Sequence, residues 1–396
     1  MKLLHVIPSM DPAGGGPSEG VRQLNGPLAA FGVRADVCCC DVPDAPFLRN
    51  TPYRVFAHGP STLRYGLNLR MLSWLRQHAE DYDAVIVEGI WQFHSVATWL
   101  ALRGKPVPYF VYTHGMLDPW FKRRYPLKHL KKMAYWLLGD YWVLRHARAV
   151  LFTCAEEMRL ARQSFRLYRC REEVSSYGTA TPPAARDELA ERFLSRFPAL
   201  RGKRLLLFIG RVHEKKGCDV LMEAFAEVCD RDPSLHLVLA GPCDDAMRAS
   251  LGKLAAAIGI ADRVTWTGML AGDDKWGSFH AAEAFCLASH QENFGVAVAE
   301  SLGCGVPVLI SNKVNIWREI VEDGAGFAGD DTPSAMADVL DRWLSLDDAS
   351  RAQMRVAAQA CFDRRFQSRA VAERLVRLIS AETGLPTVDA PHLSTP

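Results

Sequence analysis

Residues 289–307 read SHQENFGVAVAESLGCGVP. The apolar run Ala284–Ala288 precedes this stretch, Val306–Ile310 closes it, and a helical pattern begins near Val296. Two apolar strands joined through a helix are a crossover, the connection that parallel strands require. The same unit recurs on the N-terminal side. Leu205–Ile209, Leu235–Ala240 and Arg263–Thr267 each lead into a helical pattern or loop. Farther back, Leu3–Ile7, Val33–Cys40, Arg54–Ala57, Ala84–Val87, Tyr109–Tyr112 and Val150–Thr153 form a second alternation, whose first helix is expected near Ser18–Phe31. Runs that are apolar without alternating belong to sheets covered on both faces. The expected fold is therefore α/β, with two Rossmann-like, doubly wound parallel-sheet domains in tandem. Ligands of such sheets bind beyond the carboxyl ends of the strands, so two facing domains imply a central cleft.

The chain's 396 residues exceed one ordinary core. Residues 175–186, SSYGTATPPAAR, have the chemistry of a connection. The boundaries expected are 1–180 for the first domain, 181–203 for a linker and 204–365 for the second domain. Residues 383–396 are expected to be a frayed tail.

Composition excludes several classes. Hydrophobic residues at 49% and charged residues at 23% describe a globular protein rather than a disordered chain. Lys+Arg 47 against Asp+Glu 45 leaves +2, so no global field recruits nucleic acid. The 11 cysteines are odd in number and scattered, with Cys38, Cys39 and Cys40 adjacent and no C-x-x-C pair. A reducing cytoplasm is the expected home. The opening MKLLHVIPSM has too short an apolar run for a signal peptide, and no window suits a membrane span. Asp244-Asp245 and Asp273-Asp274 read as solvated turn acids, and no metal site is expected.

Five constellations could carry chemistry. Glu292 and Glu300 are separated by seven residues across Asn293-Phe294-Gly295-Val296. A helix starting there aims free N–H groups and a partial positive charge at the loop mouth, where a diphosphate is a natural guest. Glu300, one turn in, can reach a ribose diol, and Glu292 can accept from hydroxyls of another sugar. On spacing alone the pair equally suits two solvated carboxylates. Second, Gly210–Gly217, GRVHEKKG, follows the strand Leu205–Ile209. Arg211 and Lys216 can neutralise a pyrophosphate without a metal, or form a basic surface loop. Third, Gly14, Gly15 and Gly16 precede a helix start, but G-x-G-x-x-x-G misses the dinucleotide fingerprint, and Asp41 as a ribose acid is a weak signal. A flexible loop lining a cleft suits them better. Fourth, His114 follows the strand Tyr109–Tyr112, with Glu88 and Trp91 at a neighbouring strand end, where exposure is the default for Glu88. Fifth, Trp120–Ala147 mixes Lys122, Arg123, Arg124, Lys128, Lys131 and Lys132 with Trp120, Phe121, Tyr125, Tyr135, Trp136 and Trp142. Leu127, Leu130, Ala134, Leu137, Tyr141 and Leu144 recur at helical spacing, so that stripe is expected to pack inward. The cations suit anionic lipid headgroups or a solvated helix end.

Taken in order, the Gly-rich first turn, the Thr113-His114 pair, the GR-x4-KG loop and HQENFGVAVAESLGCGVPVLIS resemble the retaining glycosyltransferases of family 4. The likeness runs from about Lys2 to Arg377 and is most specific in the second half. It implies the GT-B fold and a helix over 366–382 crossing back to the first domain. It implies that Arg211 and Lys216 hold a donor diphosphate and that Glu300 binds the nucleotide ribose. Glu292, with the amides of Asn293, Phe294 and Gly295, would hold the transferred sugar, with His114 near the reacting centre. Gly268, Met269 and Leu270 would bracket the base, and Gly14–Gly16 would lie near the phosphates or acceptor. Asn293 departs from the small residue or proline usual before Phe-Gly. The implied reaction takes a sugar from a nucleoside diphosphate sugar to a hydroxyl, with retention and without a metal or other cofactor. A saccharide or lipid-linked saccharide acceptor fits, as in surface polysaccharide or glycolipid assembly, with the protein at the inner face of the cell membrane. Two alternatives stand beside it: a nucleotide-sugar epimerase on the same fold, and a non-catalytic sugar-nucleotide-binding assembly subunit.

Overall fold

The computed structural model describes residues 1–14, 16–120, 122 and 126–385. The chain divides into two compact units. One holds Met1–Thr179 together with the segment from Ser368 onward, the other Ala180–Gln367.

The first unit is built on seven strands: β1 (Lys2–Ile7), β2 (Arg34–Cys39), β3 (Val55–Ala57), β4 (Ala84–Glu88), β5 (Tyr109–Tyr112), β6 (Ala149–Phe152) and β7 (Glu172–Val174). Their spatial order is β3-β2-β1-β4-β5-β6-β7, and every pair is parallel. Alternate side chains of the same strands serve opposite faces. Leu4, Val6, Val85, Val87 and Val111 pack towards Trp136, Val143 and Phe152. Leu3, Ala35, Ile86, Phe110 and Leu151 pack towards Leu24 and Leu28 of the helix Gly16–Ala30 and towards the helix Ser368–Thr383. That last helix buries Val371, Ala372, Leu375, Val376 and Ile379, an i, i+4 stripe that fits one face. Each fully buried Leu, Ile or Val of the stripe contributes about 1.5–3 kcal/mol.

The second unit has six strands: β8 (Arg204–Ile209), β9 (Leu235–Ala240), β10 (Val264–Gly268), β11 (Ala282–Leu287), β12 (Val308–Ser311) and β13 (Gly326–Gly329). Their order is β10-β9-β8-β11-β12-β13, again all parallel. The expected class, two doubly wound parallel sheets, is the observed one.

Each order reverses once, between β1 and β4 in the first unit and between β8 and β11 in the second. Those switch points are where the flanking connections diverge and leave room for a ligand. Every candidate loop except Gly268–Leu270 and His114 opens directly from a switch strand.

Three differences from the sequence reading are structural. Residues 181–203, expected as a linker, contain the helix Arg186–Arg196 and a turn at Pro198–Leu200. Leu189 and Phe193 are buried against the helix Gly272–Ala281, so closely that a Cβ on Gly277 would meet the Leu189 carbonyl oxygen at 2.2 Å. The strands β7 and β13 went unread. In Trp120–Ala147, the stripe expected to face inward points outward at its N-terminal end: Leu127 is 84% exposed and Leu130 71%, and Leu137 is also exposed, whereas Leu144 is buried. Phe121, Arg123, Arg124 and Tyr125 of that segment, Gly15 and residues 386–396 of the expected tail lie outside the described residues.

Candidate functional site

In the second unit the two acids each meet a lysine. The loop after β8 runs from Gly210 through exposed Arg211 to a short turn, Glu214–Lys216, and ends at Gly217. Gly217 has φ +60, and a Cβ there would lie 2.1 Å from the Ala288 carbonyl oxygen at the end of β11. Only glycine fits so close a left-handed turn, and the approach ties the loop to the neighbouring strand end. His290 N–H donates to the Lys215 carbonyl at 2.9 Å, a second tie between the same two loops. Lys216 thereby reaches the Glu292 carboxylate and forms an ion pair with it.

Glu292 is fixed through its backbone. Its N–H donates to the Lys313 carbonyl at 2.9 Å, and its carbonyl accepts from Asn315 N–H at 3.0 Å. The Asn315 amide nitrogen also donates to Asn293 Oδ1 at 3.3 Å, and the buried Phe294 ring sits edge-on to Phe366. Gly295, at φ +72, starts the helix Val296–Gly303, whose first turn holds no acid and no side-chain cap. No acid of that turn and no side-chain cap competes for its opening N–H groups, which suits an anion.

Glu300 is buried, and its Oε1 lies 2.7 Å from Lys275 Nζ. Lys275 comes from the helix Gly272–Ala281 and also stands 4.2 Å above the Trp276 ring. Sequence reasoning missed this lysine, because nothing in the spacing of Lys275 and Glu300 signals a contact. Just before that helix, Gly268 has φ +71, Met269 is 72% exposed and Leu270 is buried. The Gly268 carbonyl already accepts from Gly241 N–H at 2.8 Å. Arg211 makes no ion pair among the described residues. The arrangement thus offers one unpaired guanidinium, two lysines and a helix start to a polyanion, and two carboxylates to hydroxyl groups.

The first unit gathers a different group. Glu88, expected at the surface, is buried at the end of β4, and each carboxylate oxygen contacts an imidazole: Oε1 meets His5 Nδ1 at 2.7 Å, and Oε2 meets His114 Nε2 at 2.7 Å. The two imidazoles overcome burial and hold the Glu88 carboxyl down at about 2. A third imidazole, His94, lies with Nε2 3.1 Å from the Glu88 carbonyl oxygen, and burial pushes it down to about 4. His114 itself has φ +48, an uncommon conformation for a side-chain-bearing residue. Its neighbours hold it there. Glu157 Oε1 accepts from Thr113 Oγ1 at 2.7 Å and from Gly115 N–H at 2.6 Å, while Oε2 accepts from the Thr153 N–H and hydroxyl, both at 2.7 Å.

Tyr177 links His114 to the Gly-rich turn. Its ring lies edge-on to the His114 ring at 5.3 Å, and its hydroxyl donates to the Gly16 or Pro17 carbonyl at 3.2 and 3.0 Å. Gly14 ends the turn Pro12–Gly14, and Gly16 begins the helix. Asp41 accepts from Ser9 Oγ at 2.6 Å and from Met10 N–H at 2.7 Å, so it braces the turn. Asp244 caps the helix Asp245–Ala257, while Asp273 and Asp274 pair with Arg192 and Arg196. Among the described residues, no group of three or more His, Cys, Asp or Glu could hold a metal ion.

Comparison with known proteins places names beside this geometry. The family described as Glycosyl transferases group 1 matches residues 191–360, and the Glycosyl transferase 4-like domain matches residues 15–178. A D-inositol 3-phosphate glycosyltransferase of Thermomonospora curvata is 35% identical over 249 residues, which is 57% of this chain and 54% of that protein. The chain spans about half, or less, of the length of the curated relatives that it matches. Among solved structures, Anabaena HepE in complex with UDP superposes with a TM-score of 0.77 at 18% identity, over 96% of this chain and all of that one (100%). Sucrose-phosphate synthase from Thermosynechococcus elongatus gives 0.74 at 21% identity, over 98% and 100%. At such identities the likeness shows the fold, GT-B.

Proposed function

This chain belongs to the glycosyl transferases of group 1, with a glycosyl transferase 4-like domain ahead of the group 1 domain, and on that premise we propose that it moves a glycosyl unit from a nucleoside diphosphate sugar to a hydroxyl acceptor, with retention at the anomeric carbon. One observation carries the reading: Lys216 and Glu292, 76 residues apart, meet where two switch strands end, beside an uncapped helix start.

In this reading Arg211 and Lys216 grip the donor diphosphate, and the opening amides of the helix Val296–Gly303 complete the cradle. Negative charge grows on the leaving diphosphate as the glycosidic bond breaks. Fixed cations and amides stabilise that charge more in the transition state than in the ground state. Lys216 has two calls on it. Turning towards the diphosphate releases the Glu292 carboxylate to accept hydrogen bonds from the transferred sugar. Glu300, paired with Lys275, accepts from the ribose diol. Gly268, Met269 and Leu270 bracket the base. His114 hydrogen-bonds a hydroxyl near the reacting carbon, and the turn Gly14–Gly16 serves the phosphates or acceptor. A leaving-phosphate oxygen takes the acceptor proton on the same face, since no side chain is assigned as nucleophile.

The acceptor proposed is a saccharide or lipid-linked saccharide at the cytoplasmic face of the membrane. The outward Leu127, Leu130 and Leu138 beside exposed Lys122 and Lys131 support that choice, because apolar anchors flanked by cations suit anionic headgroups. No helix among the described residues is long and apolar enough to cross a membrane.

A thermal-shift screen with UDP-, GDP- and ADP-sugars tests the donor site, because a ligand that binds only the folded form raises its melting temperature. One donor class should stabilise the wild type. Arg211→Ala and Glu300→Ala should lose that stabilisation and transfer while remaining folded. Wild-type turnover in both variants would refute the assignment.

A further inference from the structure

Glu88 stands at the switch point of the first sheet, on the strand next to His5 and one strand from His114. An ionised carboxylate can only accept hydrogen bonds. Each imidazole nitrogen that faces it must therefore carry a proton: Nδ1–H of His5 and Nε2–H of His114. This fixes which nitrogen of His114 remains for a ligand. Nδ1 has no hydrogen-bond partner among the described residues. Meanwhile the clamp of Glu157 on Thr113 and Gly115 fixes the backbone, and Tyr177 packs against the ring. Ring position, ring orientation and tautomer are thus each set by a separate contact.

We propose that Glu88 is a positioning residue for the transfer reaction: it locks His114 as the Nε2–H tautomer and so presents the Nδ1 lone pair as the acceptor for a substrate hydroxyl. The proposal rests on the role of His114 given above. The competing account is that Glu88 serves only to satisfy His5, which is fully buried in β1 and has no other partner for its ring. The two accounts differ in what happens at His114.

Glu88→Gln separates them with little change of shape. The amide has one oxygen and one NH2, so it can accept from only one of the two imidazoles, and the other must offer a lone pair. Selective ¹⁵N labelling of histidine reads the His114 tautomer directly, independent of turnover. In the wild type His114 should read as Nε2–H. In Glu88→Gln a share of Nδ1–H should appear, and kcat should fall about 10- to 100-fold, the loss expected for one hydrogen bond to a charged group. The KM for the donor should stay within about twofold, because the proposed diphosphate grip does not involve Glu88. Glu88→Asp keeps the charge but withdraws it by one methylene, so it should be intermediate, and it carries the test if Glu88→Gln fails to fold.

An unchanged His114 tautomer with wild-type kcat in Glu88→Gln, alongside an impaired His114→Ala, overturns the role of Glu88 and leaves that of His114 intact. Wild-type turnover in His114→Ala removes the role of His114 and, with it, the positioning role of Glu88.

Discussion

Gly217→Ala tests whether the loop that carries Lys216 is held by a close backbone approach. The new methyl meets two obstacles. The backbone at φ +60 and ψ +37 is left-handed, which costs an L-residue about 1–2 kcal/mol. In addition, the Cβ would lie 2.1 Å from the carbonyl oxygen and 2.9 Å from the carbonyl carbon of Ala288, backbone atoms at a strand end that cannot swing aside. Overpacking of this kind costs about 1–3 kcal/mol more. Gly259→Ala isolates the first part, since Gly259 has φ +76 with nothing within 4 Å of its Cβ position. For a unit of this size 1 kcal/mol moves the melting temperature by about 2–4 °C. Gly217→Ala should therefore melt about 2–12 °C below Gly259→Ala. The assay is thermal denaturation of both variants, with and without saturating nucleoside diphosphate. Ligand should stabilise Gly259→Ala as it does the wild type, and stabilise Gly217→Ala far less, because the strand-end contact that aims Lys216 is pried open. Equal melting temperatures and equal ligand shifts in the two variants would refute the reasoning.

Two further outcomes follow from other parts of the chain. Asp140 is buried with Trp91 N–H and Ser95 Oγ on one oxygen, and burial pushes its carboxyl up to about 6. A folded value above the unfolded one means that the ionised form opposes folding; the protonated form's contribution is complete below about pH 4 and is lost as pH rises through 6. Asp140→Asn should then gain about 2–3 kcal/mol over wild type between pH 4 and 7.5, and parallel melting curves across that range would count against it. Sedimentation with anionic vesicles should capture the wild type less well as salt rises, and Leu127→Ser/Leu130→Ser/Leu138→Ser should bind at least tenfold more weakly. Binding that ignores both salt and the leucines would remove the membrane surface as a partner.

The sheets were legible because buried parallel strands announce themselves. LLLFI at 205–209 and LHLVLA at 235–240 admit few other readings. The strands that went unread lack that signal. β7 is Glu-Glu-Val at a sheet edge with Val174 exposed, and β13 is Gly-Phe-Ala-Gly. The helix Arg186–Arg196 was hidden behind the prolines that precede it, and its buried face amounts to Leu189 and Phe193. In the candidate site, motif spacing singled out Lys216, Glu292 and Glu300 as candidates, since each follows a strand end. Their ion pairs were not legible, nor was the Glu88 bridge, which joins residues 83 and 26 positions apart through sheet order alone. Helical periodicity identified the stripe from Leu127 to Leu144, but periodicity does not say which side of a helix other elements cover.

The helix Ser368–Thr383 completes a core whose other members were made at the opposite end of the chain. On the ribosome, the strands of the first sheet emerge long before the segment that roofs Leu24, Leu28 and Phe31. The unit spanning Ala180–Gln367 is whole before that roof exists. Vectorial synthesis therefore leaves the earlier half waiting with an oily face uncovered, for a time set by the remaining translation. A chaperone hold during that interval, or a slow final docking step in refolding, would be the trace that this wiring leaves in the cell.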